Sequence, residues 1–164
     1  MAEVWIANAS PIIVLAKAGH LDLLPKLAGE LWVPDAVVAE VLAGPPSDPA
    51  RQALEAGEGK RASAKIIPPN LLEWSLGAGE TAVLALALER LPCTALLDDA
   101  SARSCARTLG VPVLGTLGVV LRAKKAGLIA GAAHVMAALR KSGLHLDDTV
   151  IRLALGRVGE KWPA

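Results

Sequence analysis

Phenylalanine and tyrosine are absent from this 164-residue chain, and four Trp are its entire aromatic complement. Apolar types still reach 53%, so Ala, Leu and Val must fill the core in place of rings. With charged residues held to 20%, that apolarity excludes a disordered or low-complexity protein. Cysteine is confined to Cys93 and Cys105. Two cysteines in a chain without a secretion signal read as small core residues, not as a disulfide framework. Long apolar runs are also missing: a membrane span needs ~18 uncharged residues, and Thr81 to Leu88 is about half of that. The opening MAEVWIANAS has no basic stretch followed by an apolar one, so a cytoplasmic location and no membrane association are expected. The length suits one domain over residues 1–164.

What is present is unevenly placed. Residues 1–99 carry 7 Lys/Arg against 13 Asp/Glu, whereas residues 100–164 carry 10 against 3. An acidic first part and a basic last part suit a protein that gathers carboxylates at one place and holds anions beside it.

Short β-like runs alternate with helical patterns. Glu3–Ala7, Leu31–Val33, Ala64–Ile67, Thr94–Leu97 and Val111–Leu114 read as strands. They are brief and lack polar alternation, as strands buried in a parallel sheet do. Ser10 reads as an N-cap with Pro11 at the first helical position and Gly19 beyond the end. Asp35 reads as the cap of a helix to about Leu42, and Glu80–Leu91 as an almost wholly apolar helix buried on most sides. Asp99 or Ser101 opens a helix ending near Gly110. Gly57–Lys60 reads as loop and Pro68-Pro69-Asn70 as a turn, and the tail from about residue 118 reads as three helices packed on the rest. The expected architecture is a three-layer α/β/α sandwich with a mostly parallel sheet, whose ligand crevice lies outside the carboxyl ends of the strands.

The residues at those ends carry the chemistry. Asn8 and Ser10 follow the first strand; Pro34 and Asp35 follow the second, with Glu40 in the next helix. Gly77-Ala78-Gly79-Glu80 opens the apolar helix, Asp98-Asp99 follow the fourth strand, and Gly115-Thr116 follow the fifth. Oxygen ligands grouped in this way suit a hard cation such as Mg²⁺ or Mn²⁺. Two such ions can activate water and stabilise a leaving oxygen in phosphodiester cleavage. Each residue has a plainer role available. Glu80 in a first helical turn gains from the macrodipole alone, and Thr116 can cap the helix it opens. Asp98 and Asp99 cannot both cap one helix, so one is expected to cap and the other to face the crevice. Arg103 and Arg107 share a helix face, and Arg122, Lys124 and Lys125 cluster; each group is either a solvated face or a phosphate contact. His20, His134 and His145 lack zinc-ligand spacing. No P-loop, dinucleotide fingerprint or nucleophile elbow is present. A receiver-like or small-molecule phosphatase domain would want an acid directly after the first strand, where Asn8 stands.

These residues fall into blocks that resemble the PIN-domain family related to VapC-type toxins. The blocks are Asn8-Ala-Ser-Pro with Ile12, Ile13 and Leu15; Val33-Pro34-x-Ala36-Val37-x-x-Glu40; Gly79-Glu80 with Leu84-Ala85-Leu86-Ala87; Leu96-Leu97-Asp98-Asp99 with Ala102-Arg103; and Gly115-Thr116-Leu117-Gly118. The resemblance implies a Rossmann-like fold and Mg²⁺- or Mn²⁺-dependent endoribonuclease activity. It also implies a homodimer and, for the toxin branch, a small antitoxin partner. It places Asn8, Glu40, Glu80 and Asp98 or Asp99 at the metal, the four acids as catalytic groups, with Ser10 and Thr116 as flanking polar residues. Arg103, Arg107, Arg122, Lys124 and Lys125 are the expected RNA-binding residues. The family usually has Asp where this chain has Asn8, which removes one negative charge from the expected site. The alternative function is a degenerate module that binds RNA or an antitoxin without cleavage.

Overall fold

The computed structural model describes residues 3–163. In chain order the elements are β1 (Val4–Ala7), α1 (Ala9–Lys17), α2 (Leu23–Leu27), β2 (Glu30–Pro34), α3 (Asp35–Leu42), α4 (Pro49–Glu55), β3 (Lys60–Ala62) and α5 (Pro69–Leu72). They continue with α6 (Ala78–Glu89), β4 (Thr94–Leu96), α7 (Ala100–Thr108), β5 (Val113–Leu114), α8 (Thr116–Lys125), α9 (Ala132–Lys141) and α10 (Asp148–Gly156).

The five strands form one sheet in the order β3-β2-β1-β4-β5, and every pairing is parallel. Parallel neighbours need a crossover between them, and the intervening helices supply it and cover the faces. β1 is central, with Ile6 opposite Trp32 on one side and Ala95 on the other. Trp5, Ile6 and Ala7 are therefore buried, which is why the strand reads as a continuous apolar run. The chain winds outward from β1 to β2 and β3, then returns to build β4 and β5 on the other side. That reversal places the switch point of the sheet between β1 and β4, where a crevice opens at the carboxyl ends.

Helix α6 is the central brace. It packs against β1, β2 and β4, and Val83 through Ala87 are all buried. Each buried leucine or valine of this run contributes about 1.5–3 kcal/mol; the alanines let the helix lie close to the sheet. Cys93 and Cys105 are free and buried, and burial pushes the Cys93 thiol up to about 11. No helix among the described residues is long and apolar enough to cross a membrane.

Several expectations are corrected. The third strand is Lys60–Ala62, so Lys60 leaves the expected loop, and Ala64–Ile67 runs as irregular chain with Ile66 71% exposed. The reason is position: β3 is an edge strand, where exposed Lys60 and Arg61 block further pairing, so the apolar signal was not the strand signal. Pro69–Leu72 is a short helix where a turn was expected. The cap of α1 is Asn8, which puts Ser10 inside the first turn, and the cap of α3 is Pro34, which makes Asp35 its first residue. Asp35 instead accepts a 2.7 Å hydrogen bond from the Ser63 hydroxyl, tying the ends of β2 and β3 together. Helices α2 and α4 were not expected. For α4 the signal was present: Asp48 caps it through Ala50 N–H and Pro49 occupies its first position.

Candidate functional site

The site begins at Asn8. Its backbone N–H donates to the Leu96 carbonyl at 3.1 Å, continuing the β1–β4 ladder one residue past the strand. The side chain is thereby held at the mouth of the switch point, 6% exposed. Among the described residues only two buried side-chain polar atoms lack a hydrogen-bond partner, Trp5 Nε1 and Asn8 Oδ1. An orphaned buried carbonyl costs about 1–3 kcal/mol, so this oxygen is an acceptor awaiting a partner.

Glu40 reaches the same place from α3. A Cβ built on Gly79 would lie 2.7 Å from Asn8 Oδ1 and 3.4 Å from Glu40 Oε1. The two oxygens thus border one small volume, and Gly79 is the residue that leaves it open. Any side chain there would push into Asn8. Gly79 is itself buried, in the first turn of α6, so the helix N-terminus closes the third wall of that volume.

On the other side of the switch point Asp98 and Asp99 divide the two roles anticipated for them. Asp99 caps α7, its Oδ2 accepting from Ala102 N–H at 2.9 Å. Asp98 faces the crevice and is held there by Thr116, which donates its backbone N–H to Oδ1 at 2.8 Å and its hydroxyl to Oδ2 at 2.6 Å. Thr116 is fully buried; it opens α8 without capping it, since Gly115 takes the cap position. Arg103 comes up beside them from α7. Its Nη1 donates to the Leu97 carbonyl at 3.1 Å, and a Cβ on Gly115 would lie 2.5 Å from that nitrogen and 3.2 Å from Asp98 Oδ1. Gly115 therefore gives passage to the guanidinium.

The remaining expected residues make other contacts. Glu80 turns back over the start of its own helix, with Oε2 2.6 Å from where a Gly77 Cβ would be, a position the helix dipole favours. Ser10 is exposed in the first turn of α1. Arg122 reaches the amino end of the sheet, 3.9 Å from Glu3 and over the Trp5 ring. Lys124 is engaged by Glu160 and the Ala130 carbonyl, and Lys125 is exposed in the same last turn of α8. Because α8 starts at Thr116 and rises about 1.5 Å per residue, this cluster lies more than a helical turn from the acids. Arg107 is exposed in the last turn of α7.

The donor set is made of oxygen atoms alone, as a hard cation requires. Asn8 Oδ1, orphaned beside Glu40, fits such an ion. No group of three His, Cys, Asp or Glu side chains is assembled among the described residues, so the fit rests on the amide–carboxylate pair, with Asp98 oriented nearby. Two glycines, Gly79 and Gly115, were missed as site residues. Their signal was their place directly beside Glu80 and Thr116.

A family model described as a PIN domain matches residues 4–160. No curated protein matches the chain.

Proposed function

The chain belongs to the PIN-domain family, whose fold is of the nuclease type, and we propose that it is a divalent-metal-dependent endoribonuclease that hydrolyses RNA phosphodiester bonds. The observation that carries this reading is the unpartnered, buried Asn8 Oδ1, which with Glu40 Oε1 borders the space beside Gly79. Asn8 and Glu40 would hold Mg²⁺ or Mn²⁺, with Asp98 the third oxygen donor; the ion supplies charge to activate water and to stabilise the leaving oxygen. Thr116 fixes the Asp98 carboxylate by two hydrogen bonds, so that group enters the reaction already oriented. Glu40, whose Oε1 borders the same small volume as Asn8 Oδ1, would contribute a carboxylate beside the amide. Glu80, at the start of α6, would be the third acid of the set and lies one residue from Gly79.

A small antitoxin-like protein and a second copy of the chain are the proposed partners. Exposed aliphatic residues such as Ile66, Leu72 and Leu153 support association of some kind. The second reading, a module that binds RNA without cutting it, is favoured by the amide at position 8. The experiment is cleavage of a mixed RNA substrate with Mn²⁺ or Mg²⁺, with a chelator control and Glu40→Gln alongside. Metal-dependent cleavage that Glu40→Gln removes is the expected result. Cleavage surviving both the chelator and Glu40→Gln defeats the metal mechanism; no cleavage and no metal-induced stabilisation favours the second reading.

A further inference from the structure

Asp98 and Arg103 face one opening at the ends of β4 and β5. A Cβ on Gly115 would lie 2.5 Å from Arg103 Nη1 and 3.2 Å from Asp98 Oδ1, so both groups border the space that this glycine leaves free. No ion pair among the described residues joins them. Their charges sit roughly 4–6 Å apart, a range at which each offsets the other. The guanidinium is also fixed in place. Arg103 is half-buried at the start of α7 and donates at 3.1 Å to the carbonyl of Leu97, the residue directly before Asp98.

The other side of the crevice has no such neighbour, since no ion pair among the described residues includes Glu40 or Glu80. The chain therefore sets a cation of its own against the acid on one side and leaves the acids on the other uncompensated. Two-ion sites for phosphodiester chemistry place their ions about 3.5–4 Å apart. With one ion at Asn8 and Glu40, as proposed above, a second would have to stand at Asp98, close to a guanidinium that cannot lose its charge. Both Asp98 oxygens also accept from Thr116, which takes up about half of that carboxylate's acceptor sites.

Resting on the nuclease reading above, we infer that Arg103 stands in for a second divalent cation, so that the crevice takes one metal ion and the chain supplies the other positive charge. Gly115 makes this possible, because any side chain there would displace the guanidinium from its place beside Asp98. The built-in charge does not vary with ion concentration, so metal occupancy follows a single-site curve.

The test counts ions and reads no cleavage. Mn²⁺ is titrated into the full chain after removal of metal, and free Mn²⁺ is followed by its electron paramagnetic resonance signal. The wild type should bind one ion per chain, and Glu40→Gln should weaken that binding at least about 10-fold. Arg103→Gln keeps a donor for the Leu97 carbonyl and removes the charge; it should bind two ions per chain. Arg103→Lys keeps the charge and should stay at one. Arg107→Gln, an exposed change in the last turn of the same helix, should also stay at one. An Arg103 that only ties α7 to the end of β4 predicts one ion in Arg103→Gln, because the hydrogen bond survives, and that result overturns the inference. Two ions on the wild type overturn it as well, and this count needs no variant to fold. Either result leaves the nuclease reading standing, since the wild type still binds metal. No ion on the wild type defeats the nuclease reading and the inference together.

Discussion

The two sides of the strand-end crevice hold their oxygens in opposite ways. On the β4–β5 side, Asp98 has both oxygens engaged by the buried Thr116. On the β1–β2 side, the buried Asn8 oxygen has no donor, and Glu40 approaches it from an exposed stretch of α3. One half is finished by the protein itself; the other has an acceptor left over and a charge beside it. A site of this kind is preorganised where it must orient and unsatisfied where it must bind. The burial of Asn8 without a partner costs stability that a cation can return. The comparison is sharpest when each side is changed alone.

The largest effect is expected on the finished side. Asp98→Asn puts an amide where two donors already point, so one of them loses its acceptor and Asp98's charge is gone. Cleavage should fall by about a hundredfold or more, read as kcat/KM on a single RNA oligonucleotide. If activity survives, the oriented carboxylate is a structural pin for α8 and nothing more.

On the unfinished side Asn8→Asp restores a carboxylate next to Glu40. Two like charges around one small volume repel each other until a cation arrives. The metal-free melting temperature should therefore drop by about 2–4 °C. The rise on adding Mn²⁺ should exceed that of the wild type by a similar amount, corresponding to roughly tenfold tighter binding. Equal metal-induced shifts in the two proteins would mean that the orphaned oxygen does not face a cation.

Both sides were legible in the sequence to different degrees, for physical reasons. The residues at strand ends could be named because short apolar runs followed by Asn8, Asp98-Asp99 and Thr116 mark buried parallel strands and their exits. The same alternation led to a mostly parallel sheet, and every pairing is parallel. β3 was misplaced because this strand reads Lys-Arg-Ala with its first two residues exposed, while the apolar Ile66 and Ile67 lie outside the sheet. Asp98 could not be separated from Asp99, because either can cap a helix; only the hydrogen bonds to Ala102 and Thr116 assign them. The basic residues of α8 were candidates for their charge alone; a helix that opens at Thr116 and rises about 1.5 Å per residue carries them away from the strand ends. Arg122 points to Glu3, at the far end of the sheet. Gly79 and Gly115 stood in the strand-end blocks but were not named as site residues, because their role is to contribute no side-chain atoms.

A smaller effect separates orientation from charge. Thr116→Val keeps shape in a fully buried position and removes one donor from Asp98, leaving the backbone N–H. It should cost about 1–2 kcal/mol of stability, measured by urea midpoint, and lower kcat less than Asp98→Asn does. A loss as large as that of Asp98→Asn would mean that the hydroxyl, not the carboxylate, is the reacting group.

The smallest effect comes from a carboxylate away from the crevice, which serves as the reference for a finished acid. Glu160 accepts from Ala132 N–H at 2.8 Å and Ala133 N–H at 3.0 Å, completing the start of α9 where Gly131 has no side chain to cap it. These bonds, with Lys124 nearby, hold its pKa below the usual glutamate value. A lowered folded pKa means that the stabilisation is present above the unfolded glutamate value, about 4.3, and is lost as pH falls through the folded one. Glu160→Gln should thus cost about 1 kcal/mol or less at pH 7, with the gap to the wild type closing as the solution is made more acid than the folded pKa. Urea midpoints across that range measure it. Because Glu160 has its donors already, Mn²⁺ should leave the size of this gap unchanged, whereas it should alter the effect of any change at Asn8 or Glu40. A metal-dependent gap at Glu160 would mean that the ion binds at the carboxyl-terminal turn, and the contrast between the two sides of the crevice would lose its meaning.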